Sequence, residues 1–334
     1  MPHRELALRD VYLARQRIMS LARRTPIIEA PRLSERSNSK IVHKLENLQT
    51  TGSFKIRGAT NKLLSLSEKE RSRGVLAVSS GNHGRAVSYV ASRLGIQATI
   101  CLPDTVPDNK RKAIRQLGAE LVIAGATYDE ASDTAARLQE ERALAMIHPF
   151  DDPFVIAGQG TIGLELLEDF PEIDTVLVPL SGGGLMAGIA FVLKSADPTL
   201  RTIGITMERG PAMVESLRAG KLVEIVEEPT LADALAGGLG GKNIYTFEMI
   251  RAYVDDTILV SEEEIAAAMA FALEEYHLVV EGGGAVGIAA LLYDRVRELG
   301  ENVAVVLSGG NVDTPVLLEA AQKHHSRECV NRPR

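Results

Sequence analysis

The chain is 334 residues long, 45% hydrophobic and 24% charged, which fits a globular protein of one large or two ordinary domains with a sizeable core. A formal net charge of -7 argues against general nucleic-acid binding, and no apolar run reaches membrane-spanning length. Residues 1–24 mix charges of both signs without an apolar centre, unlike a secretory leader. Cys101 and Cys329 lie in an apolar stretch and a polar tail, a poor basis for a disulfide framework, so the cytoplasm is the default compartment.

Apolar residues at helical spacing (Val11, Leu13, Ile18, Leu21) predict a helix over 9–21, with Asp10 placed to cap it. Residues 25–28 read as an extended entry and 41–45 as a short strand. That strand leads into Thr51-Gly52-Ser53-Phe54-Lys55-Ile56-Arg57-Gly58-Ala59, followed by a helical body over 60–66. Gly52 and Ser53 suit a turn in which the Ser53 hydroxyl caps a helix N-terminus. From Gly74 the rhythm becomes strand, turn, helix. Strands are expected over 75–78, 98–102, 121–123 and 145–147. Helices are expected over 86–94, closed by Gly95, then 109–117, closed by Gly118, and 128–143. Such alternation implies a parallel sheet with crossover helices.

The pattern resumes after residue 150 with a helix around 162–167 and a strand over 175–180. Ser181-Gly182-Gly183-Gly184 then opens a helix through Lys194. Further strands are expected over 202–206 and 255–260. Ser261-Glu262-Glu263-Glu264 is a helix start of capping-box type. Gly282-Gly283-Gly284 precedes a helix expected over 285–299. The last strand, 303–307, closes on Ser308-Gly309-Gly310-Asn311. The basic tail, 323–334, is expected to fray. Its His324-His325 pair has no suitably spaced carboxylate or cysteine to make a metal site.

Lys55 falls in the first turn of its helix, where the helix dipole favours anions. An imine with a carbonyl cofactor would explain a lysine there. Taken alone, an isolated Ser-x-Lys reads by preference as a surface lysine on an amphipathic helix, because such short matches arise often by chance. Gly-rich turns follow strands at 81–84, 182–184 and 309–310, and in open parallel sheets ligands bind beyond the carboxyl ends of the strands. Ser181-Gly182-Gly183-Gly184-Leu185 offers backbone N–H groups at a helix start, suited to a phosphate. It matches neither a dinucleotide fingerprint nor a P-loop, and an isolated glycine triplet also serves tight helix–strand packing. A lysine, a phosphate cradle and two polar turns together point to pyridoxal 5′-phosphate.

Ser53-Phe54-Lys55-Ile56-Arg57-Gly58-Ala59, Ser80-Gly81-Asn82-His83-Gly84, Gly182-Gly183-Gly184-Leu185 and Ser308-Gly309-Gly310-Asn311 occur in one order and spacing. With them the chain resembles the threonine dehydratase/serine racemase group of fold-type II pyridoxal-phosphate enzymes, over about residues 10–320. The resemblance implies an α/β, tryptophan synthase β-like fold with two parallel-type open sheets and flanking helices. The cofactor would lie in the cleft between a large domain (1–73 and 150–334) and a small one (74–149). Lys55 would bond the cofactor and later remove the substrate Cα proton. Phe54 would pack on the pyridine ring, Asn82 would bond its hydroxyl, and Ser308 would face its nitrogen. Gly182, Gly183, Gly184 and Leu185 would hold the phosphate. Ser80, Asn82 and His83 would receive the substrate carboxylate.

A hydroxyl at Ser308 does not hold the ring nitrogen protonated as a carboxylate would, which favours loss of a β-substituent over transamination. The implied activity is dehydration of a β-hydroxy amino acid such as threonine or serine to a 2-oxo acid and ammonia. Three alternatives stand beside it: a racemase using Lys55 and Ser80, a dehydratase of hydroxyectoine breakdown acting on a hydroxylated diaminobutyrate derivative, and a non-catalytic cofactor-binding protein. The second follows the likeness of residues 234–241 to that branch; the third would be expected to lose Lys55. The sequence departs from the family at Thr50, Arg85, Ser181 and Ala234. Thr206 stands where relatives place a glutamate for a divalent cation, so no metal is expected. The family implies a homodimer acting on a small amino acid, without nucleic acid or membrane, and lacking the C-terminal regulatory domain of the biosynthetic dehydratases.

Overall fold

The chain folds around two open sheets, and the helix carrying Lys55 lies between them. The structure, a computed structural model, describes residues 6–331 apart from 80, 107, 127 and 241. Ser80 therefore lies outside the described residues, as do the side chains of His324, His325 and Cys329.

In chain order, α1 (Leu8–Ile18), β1 (Ile27–Glu29), α2 (Pro31–Ser37) and β2 (Lys40–Leu45) lead to α3 (Lys55–Ser65) and α4 (Glu68–Arg73). Strands β3 (Val75–Val78), β4 (Ala98–Leu102), β5 (Glu120–Ile123) and β6 (Ala145–Met146) alternate with α5 (Asn82–Leu94), α6 (Asp108–Gln116) and α7 (Tyr128–Arg142). Then come α8 (Pro153–Asp169), β7 (Thr175–Pro179), α9 (Gly184–Ala196), β8 (Arg201–Met207), α10 (Ala212–Ala219) and α11 (Thr246–Tyr253). The chain continues through β9 (Asp256–Val260), α12 (Glu262–Tyr276), α13 (Gly282–Leu292), β10 (Asn302–Leu307) and α14 (Thr314–Asn331).

The four-stranded sheet runs β5-β4-β3-β6 and is parallel throughout. The six-stranded sheet runs β1-β2-β10-β7-β8-β9 and is parallel except at its edge, where β1 pairs antiparallel with β2. The inner strands β3 and β7 are buried at every residue, because helices cover both faces. One face of the large sheet packs on α12 and α13 and the other on α8 and α9.

Among the differences from expectation, four stand out. α5 starts at Asn82 rather than 86, so Asn82 and His83 occupy its first turn. α13 starts at Gly282 and stops at Leu292, seven residues short of the expected end. Its glycines are part of the helix, and Gly284 has no room for a side chain because a Cβ there would stand 2.6 Å from the Gly309 carbonyl oxygen. The helix ends where Asp294 turns left-handed at φ 52°. The tail is helical to Asn331 rather than frayed from Lys323.

The fourth difference is at the lysine. Ser53 does not cap α3: among the described residues its buried Oγ has no partner, and Phe54 is the capping position without a side-chain bond. Main-chain bonds tie this turn to the end of β10 instead, with Phe54 N–H donating to Ser308 O at 3.0 Å and Gly310 N–H to Gly52 O at 2.9 Å. α3 then packs in two directions. Ile56, Ala59 and Leu63 join the core under the four-stranded sheet. Gly58 N–H donates to Gln159 Oε1 of α8 at 3.2 Å.

Arg57 anchors α3 from below. Its guanidinium donates to Glu46 (Nε 2.8 Å, Nη2 2.7 Å), to Glu165 (Nη1 2.6 Å, Nη2 2.8 Å) and to Thr161 Oγ1 at 3.0 Å. Lys44 Nζ joins Glu165 at 2.6 Å. Two cations thus face two carboxylates in the interior, the pairing under which buried charges are tolerated.

Candidate active site

Each motif loop reaches the same place by way of a strand end. Lys55 is the first residue of α3 and half-buried, and its Nζ donates to the Pro149 carbonyl at 2.8 Å. Burial pushes its pKa down to about 8, against the pull of the nearby Glu281 carboxylate. The Phe54 ring lies beside it, 5.2 Å from Nζ to the ring centre. This lysine is therefore no surface lysine.

The glycine turn after β7 is a cradle whose walls leave no room for side chains. A Cβ on Gly182 would overlap the Phe150 ring, and one on Gly184 would stand 2.9 Å from Phe150 Cα. Gly183 has φ 89° and caps α9, and among the described residues no side chain accepts from the first N–H groups of that helix. That is the donor set an anion takes at a helix N-terminus. Leu185 is buried in the first turn of the same helix.

Asn82 is gripped at both ends of its amide. Its Nδ2 donates to Glu281 Oε1 at 2.7 Å, and its Oδ1 accepts from Asn311 Nδ2 at 2.6 Å. Asn311 Nδ2 also lies 2.9 Å from the Thr51 carbonyl, so the loops at 51, 82, 281 and 311 are stitched together. Asn82 keeps one Nδ2 hydrogen for a further acceptor. Glu281 is buried, and its pKa is pushed up to about 7 by burial first and the Asp233 carboxylate second.

The ring of His83 is turned away to the main chain. Its ring is buried, with Nε2 2.7 Å from the Ile147 carbonyl, and burial, aided by the Lys55 charge, lowers its pKa to about 3. What it offers a ligand is its main-chain N–H at the start of α5. Ser308 is buried too, and among the described residues its Oγ has only a 3.5 Å contact to the Gly283 carbonyl, leaving the hydroxyl open to another partner.

Lys55, Phe54, Asn82, Gly182, Gly183, Gly184 and Ser308 are thus brought together. These residues fit pyridoxal phosphate on the structure's own terms: a desolvated amine, a helix N-terminus without a side-chain cap and a weakly engaged hydroxyl at Ser308. Glu281, His148 and Phe150 belong to the same place and were not anticipated. An acidic residue directly before a glycine run was the available signal for Glu281.

The family profile described as pyridoxal-phosphate dependent enzyme matches residues 18–309. An L-threonine ammonia-lyase of Thermotoga maritima is 45% identical over 312 residues, covering 93% of this chain and 77% of that protein. The structure of maize serine racemase superposes with a TM-score of 0.89 at 34% identity, covering 97% of this chain and 99% of that one. A threonine deaminase from T.th. does so at 0.84 and 40% identity, covering 92% of this chain and 99% of that one. The chain belongs to the pyridoxal-phosphate dependent enzymes, with the fold-type II architecture.

Proposed function

We infer that this chain is a pyridoxal-phosphate dependent dehydratase that converts L-threonine or L-serine to a 2-oxo acid and ammonia. The observation that carries this is the Lys55 amine, bonded to the Pro149 carbonyl next to Phe150 of the glycine cradle, with its chain neighbour Phe54 tied to the Ser308 carbonyl and its pKa pushed down to about 8. The substrate comes from the relatives, whose names include L-threonine ammonia-lyase and threonine deaminase.

Bound at this site, the cofactor supplies an aldehyde for an amine and a ring that takes up the electron pair released at Cα. The protein does the rest. Near neutral pH a useful fraction of Lys55 is unprotonated and can accept the Cα proton. Gly182, Gly183, Gly184 and Leu185 would hold the phosphate by N–H groups, Phe54 the ring face, Asn82 the ring hydroxyl and Ser308 the ring nitrogen. The substrate carboxylate would meet Asn82 and the N–H groups at the start of α5. A hydroxyl partner at Ser308, rather than a carboxylate, favours expulsion of the β-hydroxyl over transamination.

In this reading residues 74–149 form the small domain, 1–73 and 150–334 the large one, and the enzyme is a cytoplasmic homodimer. Light scattering on the purified protein measures the last point.

The test is an absorbance spectrum of wild type beside Lys55→Ala, then addition of L-serine or L-threonine with assays for 2-oxo acid and for the D-isomer. A Lys55-dependent band with pyruvate or 2-oxobutyrate supports the dehydratase. The band with D-serine as main product makes it a racemase. The band with no product from either amino acid moves the substrate to the hydroxylated diamino acid class. Absence of any Lys55-dependent band overturns the inference.

A further inference from the structure

His148 stands where the cradle meets the lysine, and none of the roles above uses it. Its Nδ1 accepts from the Asp151 N–H at 2.7 Å and from the Phe150 N–H at 3.3 Å. An accepting nitrogen carries no proton, so the ring proton is on Nε2. A second proton is disfavoured by burial first and then by the charges of Lys55 and Lys62, against the pull of Asp151 and Asp152. The ring is a neutral imidazole of fixed tautomer. Its Nε2 takes no partner among the described residues and is not sealed off.

Its position is fixed as firmly. The ring meets Phe150 edge-on, with centroids 4.7 Å apart at 85°. Phe150 in turn closes on Gly182 and Gly184 of the cradle. On the other side, the peptide neighbour Pro149 receives Lys55 Nζ, and His148 interacts electrostatically with both Lys55 and His83. The amides suited to a carboxylate are elsewhere, at the first turn of α5.

We propose that His148 donates its Nε2–H to the β-hydroxyl of the bound amino acid and so selects hydroxyl as the β-substituent. This rests on the dehydratase reading. The contact is a hydrogen bond only: no bond to the hydroxyl is made or broken at His148, and the imidazole keeps its proton. A neutral donor suits a neutral hydroxyl oxygen, and a chlorine in the same place is a poor acceptor.

The experiment compares wild type, His148→Asn and His148→Gln on L-serine and on β-chloro-L-alanine, both of which yield pyruvate. Asn keeps an acceptor near the Asp151 and Phe150 amides but loses the distal donor; Gln carries an N–H towards the Nε2 position. The cofactor band and the thermal midpoint are recorded for each, and ¹⁵N-histidine NMR reads the tautomer, with His148 assigned by its loss in either variant. In His148→Asn we expect an unchanged band and midpoint. Its kcat/KM for serine should fall about tenfold, the worth of one hydrogen bond, with a change under about threefold for the chloro substrate. Gln should recover serine activity, and wild type should show a protonated Nε2. Equal losses on both substrates, no loss on serine, or a proton on Nδ1 overturns the assignment. Failure of His148→Asn to fold leaves the NMR result and His148→Gln to decide in the same way. If wild type dehydrates neither serine nor threonine, the dehydratase reading fails and this assignment falls with it. Normal wild-type turnover with an indifferent His148→Asn removes this assignment alone.

Discussion

Glu281 Oε1 and Asn82 Nδ2 lie 2.7 Å apart although 199 residues separate them in the chain. The bond joins the start of α5 to the start of α13 across the cleft. Glu281→Ala would strand one Asn82 hydrogen and cost about 1–3 kcal/mol of stability. It should also weaken cofactor binding, since Asn82 loses its orientation. Glu281→Gln keeps an acceptor oxygen and should do better on both counts. Urea unfolding and cofactor titration of the two variants check this, and equal effects from Ala and Gln would refute it.

Lys55→Ala should abolish both the visible absorbance of the loaded protein and 2-oxo acid formation. The fold should survive, because α3 is held by Arg57, Gly58 and its apolar face rather than by the lysine. Near-wild-type thermal unfolding of the apo-variant, beside a missing band, is the expected pair of results.

Arg57→Ala should be among the most damaging substitutions outside the motif glycines. Glu46 is fully buried and Glu165 nearly so, and both would lose their main cation. Breaking a buried pair in this way costs about 3–5 kcal/mol. Chemical denaturation measures it; a loss below about 1 kcal/mol would show that water or Lys44 takes over.

Gly182→Ala should lower cofactor affinity because the added methyl meets the Phe150 ring. A ring can be trimmed, so Phe150→Ala should restore part of the loss and the pair should be non-additive. Gly184→Ala meets the Phe150 main chain, and trimming the ring should not rescue it. Cofactor titration of the single and double variants separates the two cases.

Acid stability should depend on His43 and His83. Both are buried and held neutral, with pKa values lowered to about 3 from 6.5. The unfolded chain binds those protons below about pH 6.5 and the native one does not until about pH 3. Stability therefore falls as pH drops through that window, by up to about 1.4 kcal/mol per unit for each group. Glu281, raised from 4.5 to about 7, works the other way: the native state holds the extra proton, so its contribution is lost as pH rises from 4.5 to 7. Both ring nitrogens of His43 lack partners among the described residues, so His43→Leu should stabilise the protein and do so more at pH 5 than at pH 8. Unfolding curves at the two values test this; an equal gain at both would refute it.

The alternation of buried strands and helices, the lysine and the glycine turns were legible in the sequence because they are local. A β-rich apolar run, a glycine triplet and a capping box such as Ser261 with Glu264 carry their meaning within a few residues. The extent of α13 was not, since its first turn depends on how closely the Gly309 carbonyl approaches Gly284. Ser53 looked like a cap, yet the Ser308 and Gly309 backbone took over that turn. The sequence does not show that the Ile147 carbonyl engages the His83 ring, leaving its main-chain N–H at the start of α5. Glu281 on Asn82, Glu165 on Arg57 and the Asp151 amide on His148 are pairings that only the folded chain decides. Residue type and spacing announce which groups are present. Desolvation and the partner each group meets across the fold set the pKa of Lys55, the orientation of Asn82 and the tautomer of His148.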